Sequence, residues 1–82
     1  MYEVTISRQG SSKSPYRLLW RRSFEADSPE TALFYSTFEE DVPEYFTTLY
    51  ALAGYKTYTK GLNSLLLEYG SHKVEVRKVD DI

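Results

Sequence analysis

Apolar and polar residues alternate from the start of the chain. Tyr2, Val4 and Ile6 fall on one side of an extended backbone, and Glu3, Thr5 and Ser7 on the other. That is the pattern of a half-buried strand. "QGSSKSP" follows, with Gly10, three serines and Pro15, and predicts a flexible hairpin loop. Alternation resumes in "YRLLWRRSFEA". It predicts Tyr16, Leu18, Trp20, Arg22 and Phe24 on one face, and Arg17, Leu19, Arg21, Ser23 and Glu25 on the other. A loop of this length suits an antiparallel pairing of the two strands better than a crossover.

The period then changes. In "ADSPETALFYSTF", Ser28 can cap a helix and Pro29 takes the first helical position, where its missing N–H costs nothing. Asp27 and Glu30 place negative charge near the positive end of the helix dipole. Phe34 and Phe38 lie four apart, with Thr31 and Tyr35 beside the same stripe, so the helix is expected to end near Phe38 or Glu39. A second helix is expected in "EEDVPEYFTTLYALAG". There Asp41 caps, Pro43 sits in the first turn and Glu44 completes a capping box. Val42, Tyr45, Phe46, Leu49, Leu52 and Ala53 form its stripe, and Gly54 ends it. Pro43 favours two helices over one kinked helix.

After Gly54 the period returns to two. "YKTYTK" alternates, Gly61 and Asn63 mark a turn, and "SLLLEY" and "HKVEVRKV" flank Gly70-Ser71, a tight hairpin turn. Val74 and Val76 are expected inward, with Lys73, Glu75 and Arg77 outward. The fold class is therefore α+β, in a single domain spanning residues 1–82. An antiparallel sheet of four to five strands carries two short helices on one face, in the order ββααββ(β).

Composition narrows the function classes. The chain has 82 residues, 41% of them hydrophobic and 16% aromatic, with eight tyrosines, so it can build a core. It has no cysteine, which excludes disulfides, thiolate metal sites and a nucleophilic thiol. Their absence tilts the expected setting towards the cytoplasm. No apolar run approaches the ~20 residues of a membrane span, and the first ten residues alternate rather than form a signal sequence.

The net charge of −2 hides a bipolar distribution. Residues 1–22 hold five bases and one acid, residues 23–45 seven acids and no base, and residues 46–82 five bases and four acids. Two candidate sites follow. Lys13, Arg17, Arg21 and Arg22, with Trp20 among them, are the residue types of a nucleic-acid surface, where bases stack on aromatics in a basic groove. Alternation, however, puts Trp20 on the core face, and the RNA-recognition signature is absent. The second candidate is the acidic cluster Glu39, Glu40, Asp41 and Glu44, which could complement a basic partner surface. Tyr35, Tyr50, Tyr55 and Tyr58 are candidate aromatic anchors beside it, for a partner or for a second copy in a homodimer. No calcium-loop spacing, phosphate loop or nucleophile elbow is present, and His72, the single histidine, falls in a turn. No cofactor, no metal site and no catalytic residue is expected.

Residues 16–38 resemble a pattern found in small phage and mobile-element proteins, in which a strand runs into a turn, here "FEADSPETA", that caps a helix. Several anti-CRISPR proteins are similar: short, single-domain, cysteine-poor, α+β and without catalytic motifs. The resemblance covers about a quarter of the chain and carries no residue-by-residue signature. It implies a stoichiometric inhibitor acting by surface contact on a host nucleic-acid-processing complex, in the host cytoplasm if phage-encoded. The expected function is thus a non-enzymatic protein-binding module. A small nucleic-acid-binding module and a structural or assembly subunit are the alternatives.

Overall fold

A computed structural model describes residues 1–42 and 57–79. Strand β1 (Tyr2–Gln9) pairs antiparallel with β2 (Tyr16–Phe24), and helix α1 (Pro29–Ser36) follows. Strands β3 (Thr57–Lys60), β4 (Ser64–Tyr69) and β5 (His72–Lys78) complete one antiparallel sheet in the order β2-β1-β5-β4-β3. Four strands of six to nine residues make its body, and β3 adds four residues at one edge. The α+β class, the hairpins and the first helix match the sequence reading. The second helix was expected to begin at the Asp41 cap; Asp41 and Val42 lie in a turn, and the rest of it falls on residues outside those described.

The core follows the alternation. Tyr2, Val4 and Ile6 of β1, Val74 and Val76 of β5, and Leu65 and Leu67 of β4 are buried on one face, with Trp20 of β2. Register lines these up in rows: Trp20, Ile6, Val74 and Leu67 across one, and Arg22, Val4, Val76 and Leu65 across the next. Gly70, at φ +58°, makes the β4–β5 turn, a backbone region that a side chain disfavours.

Helix α1 lies on this face. Ser28 caps it, its hydroxyl accepting from the Thr31 N–H at 3.2 Å, and Pro29 sits at the first position, as the sequence predicts. The buried side is mostly small: Pro29, Ala32 and Ser36, with Leu33 its one large side chain. The stripe noted in the sequence, Phe34 and Phe38 with Tyr35 beside it, is the outward one. The sheet already supplies bulk through Trp20, Ile6, Leu65 and Leu67, and the helix meets it with one large residue, Leu33, among small ones. After Ser36 the chain tightens into i→i−3 bonds, Phe38 N–H to Tyr35 O and Glu39 N–H to Ser36 O.

Ion pairs tie this segment to both margins of the sheet. Glu30, in the first turn, meets Lys60 of β3 at 2.6 Å, and Glu39 and Asp41, past the helix end, reach Arg22 of β2. The segment thus crosses the strands from one edge to the other.

The second departure lies in β2. Ile6 pairs with Trp20 but Ser7 pairs with Leu18, so Leu19 is an extra residue in a β-bulge. One inserted residue flips the face of everything beyond it. Leu18 therefore sits beside Ser7 and Lys73 on the face away from the helix and is half exposed. Tyr16 turns with it, opposite Gln9, and Arg17 moves to the helix side, opposite Arg8. The expected grouping of Tyr16, Leu18, Trp20, Arg22 and Phe24 holds only from Trp20 onward.

Candidate functional site: an acidic turn beside exposed aromatics

The candidate arginines do not form one surface. Arg21 stands opposite Thr5 on the outer face and lies 3.9 Å from Glu3, which also receives Arg77 at 3.4 Å. Arg22 stands on the helix face, its guanidinium 5.6 Å from the centre of the Trp20 ring. Its two terminal nitrogens donate to different carboxylates, Nη1 to Glu39 and Nη2 to Asp41, each at 2.7 Å. Arg17 is at the far end of the strand, and Lys13 is exposed in the hairpin loop. Arginines and a bulge on an edge strand also discourage edge-to-edge pairing with other chains. Trp20 is buried, at 8% exposure, against Phe24. It packs in the core as its position in the alternation predicts, and offers no platform for a base.

The acidic turn is built from α1 outward. Thr37, at the helix C-cap, donates its hydroxyl to the Phe34 carbonyl at 2.7 Å, which fixes the direction in which the chain leaves. Glu39, Glu40 and Asp41 follow, and with Arg22 and Phe38 they line a shallow cleft of about 460 Å³. Arg22 compensates one unit of the three negative charges. Glu39 and Asp41 are spent on the fork, whereas Glu40 is exposed and makes no ion pair among the described residues. The fork pins the turn against β2; its contribution to stability is modest, because the groups are partly exposed.

Beside the turn lies an aromatic group. Phe34 and Phe38 meet edge to face with centroids 5.0 Å apart, and Tyr35 lies 6.4 Å from Phe34. Phe38 is 70% exposed. Among the expected anchors, Tyr35 is exposed and belongs to this group. Tyr58 contributes backbone to β3, and Tyr50, Tyr55 and Glu44 lie outside the described residues. Phe34 and Phe38 were not among the expected anchors, so their place here is new. The signal for it was the other side of the same helix, where Leu33 stands between the small residues Ala32 and Ser36 and could serve as its buried face.

No group of three histidine, cysteine or acidic side chains among the described residues could hold a metal ion. No helix among them is long and apolar enough to cross a membrane. His72 sits opposite Arg8; burial first, and then the charge of Arg8, hold its pKa below the ordinary histidine value. Glu30 is held below the usual carboxylate value, mainly by its hydrogen bond to Lys60. No protein-family model matches the chain, and neither a curated protein nor a solved structure is significantly similar to it, so its surface alone carries the functional argument.

Proposed function

We propose that the chain is a non-enzymatic protein-binding module that docks through the acidic turn after α1 and the aromatic group beside it. One observation carries this reading. Three large rings, Phe34, Tyr35 and Phe38, stand in solvent next to an acidic turn whose Glu40 is left uncompensated. Full burial of a large apolar side chain is worth roughly 1.5–3 kcal/mol, and each of these rings forgoes part of it. Aromatics are also the residues enriched in the energetic centre of interfaces. The matching partner surface is an apolar pocket rimmed by lysine or arginine, with charge steering the encounter. Basic surfaces of that kind are abundant on nucleic-acid-processing complexes. The resemblance to anti-CRISPR proteins points the same way and would make the module an inhibitor that occupies such a surface.

The test spares the Arg22 fork. Glu40→Lys and Phe38→Ser alter exposed side chains only, so the fold is expected to stay intact. Proteins captured from a host lysate by the unaltered chain are compared with those captured by the double variant. At least one basic protein is expected to be lost with the two side chains. If every captured protein is retained equally, the docking surface is wrongly assigned.

A further inference from the structure

The hairpin end of the sheet plays no part in that docking surface, yet it carries an unusual charge arrangement. Arg8 of β1 and Arg17 of β2 stand directly opposite one another, on one face of the sheet. Like charges in that position destabilise an antiparallel pair. Arg21, Arg22 and Arg77 each meet a carboxylate, whereas neither Arg8 nor Arg17 makes an ion pair or a side-chain hydrogen bond among the described residues. The bulge at Leu19 creates the juxtaposition, because without it Arg17 would face the other side.

The two arginines border a groove of about 640 Å³, within the range of small-molecule sites. Pro15 and Leu19 give it an apolar wall, Ser14 adds a hydroxyl, and no carboxylate lines it among the described residues. On the other face of the sheet the Lys73 ammonium lies 4.3 Å from the centre of the Tyr16 ring, and adds a third positive charge to this end. Two planar guanidinium groups are suited to bidentate recognition of a phosphate. An apolar wall beside them suits the flat face of a base.

We infer that the hairpin end binds a nucleoside phosphate, with the phosphate between Arg8 and Arg17 and the base against Pro15 and Leu19. The nucleotide can be free or part of a single strand, since both present the same chemistry. This site is independent of the docking surface at the other end of β2.

The experiment is an amide NMR titration of the full chain with AMP, a short oligothymidylate, adenosine, inorganic phosphate and a tetraglutamate peptide. AMP or the oligonucleotide is expected to shift Arg8, Tyr16, Arg17 and Leu19 together, and the tighter of the two identifies the source. Adenosine, inorganic phosphate and tetraglutamate should each bind at least about tenfold more weakly, since each lacks one half of the ligand. Arg8→Gln and Arg17→Gln should each weaken binding about tenfold or more, the loss of a charge-assisted contact, with the remaining spectrum unchanged. Arg21→Gln, on the opposite face, should leave binding as it was. The site is wrong if neither nucleotide probe shifts these residues. It is equally wrong if phosphate or tetraglutamate alone binds as tightly as AMP, or if Arg21→Gln weakens binding as much as Arg17→Gln.

Discussion

Arg22 and Arg17 belong to one strand, five positions apart, and meet opposite treatment. At the helix end Arg22 is held by two carboxylates and lies over an indole ring. At the hairpin end Arg17 faces another arginine. Between them stand the Leu19 bulge and Trp20. The helix end is therefore a matched structure in which charge has been used to close the fold. The hairpin end leaves like charges opposed beside an open groove, an arrangement that costs stability unless an anion joins it. What decides a residue's role is thus its partner across the strand and the phase of the pleat, not the run "WRR" in which it is written.

Trp20 is the wedge that keeps the two ends distinct, and its removal should have the largest effect. Its ring fills the row shared with Ile6, Val74 and Leu67, and packs 6.4 Å from Phe24. Trp20→Ala should lose about 3–5 kcal/mol through lost burial and the cavity left behind. That is a large share of the stability of a domain this size, and urea unfolding would measure it. Trp20→Phe should lose clearly less, because it also removes a buried indole N–H that has no partner among the described residues. An alanine variant with a nearly unchanged midpoint would show that the strand is not anchored here.

Next in size is the fork. Arg22→Gln leaves Glu39 and Asp41 facing each other without compensation, and should cost about 0.5–1 kcal/mol, small because all three groups are partly exposed. A double-mutant cycle with Glu39→Gln isolates the pair, and the coupling should fall by about half in high salt. A coupling near zero would mean that the turn is held in place by packing alone, and that the acids are as available to a partner as Glu40.

Much of this architecture was legible in the sequence. Strict alternation at Tyr2–Ile6 and at Val74–Arg77, the Ser28-Pro29 cap and the Gly70 turn each follow from a local rule, and each stands where expected. Two features were not legible. The bulge leaves no mark, because "LLW" is as apolar in either phase, and only the pairing with β1 shows which leucine is extra. The outward turn of Phe34 and Phe38 was hidden because apolar character alone does not tell which side of a helix lies on the sheet. The acidic cluster was found as residues, but its division into a paired Glu39 and Asp41 and a free-standing Glu40 depends on Arg22, seventeen and nineteen positions away from the pair. The Arg8–Arg17 pair was missed because it exists only through the shifted register.

Relieving that pair should move stability upward, the reverse of the fork. Arg8→Gln removes a like-charge opposition worth about 0.2–1 kcal/mol. At ~4–8 °C per kcal/mol for a domain of this size, the melting temperature should rise by a few degrees. Low salt should enlarge the gain, since screening is then weakest. A lower melting temperature would show that the Arg8 side chain stabilises the hairpin, and the contrast between the two ends would lose its energetic basis.

The smallest effect separates the ends by pH. Both His72, at the hairpin end, and Glu30, at the helix start, have lowered pKa values, and both make the protein less stable in acid, but over different ranges. For His72 the unfolded chain takes up the proton first. Its contribution is therefore complete above the ordinary value of about 6.5, and declines as pH falls from there until the folded imidazole is protonated too. Glu30 favours the charged form through Lys60, so its contribution is present above the ordinary carboxylate range and is lost as pH falls through the lower, folded value. Thermal unfolding against pH should show a shallow step below about 6.5 and a second in the carboxylate range. His72→Gln should remove the first step and leave the second, and Glu30→Gln should do the reverse. Arg8→Gln should shrink the first step without abolishing it, because burial and not the arginine is the larger cause. A first step that survives His72→Gln would place the acid sensitivity elsewhere, and would leave the row Arg17, Arg8 and His72 coupled in geometry alone.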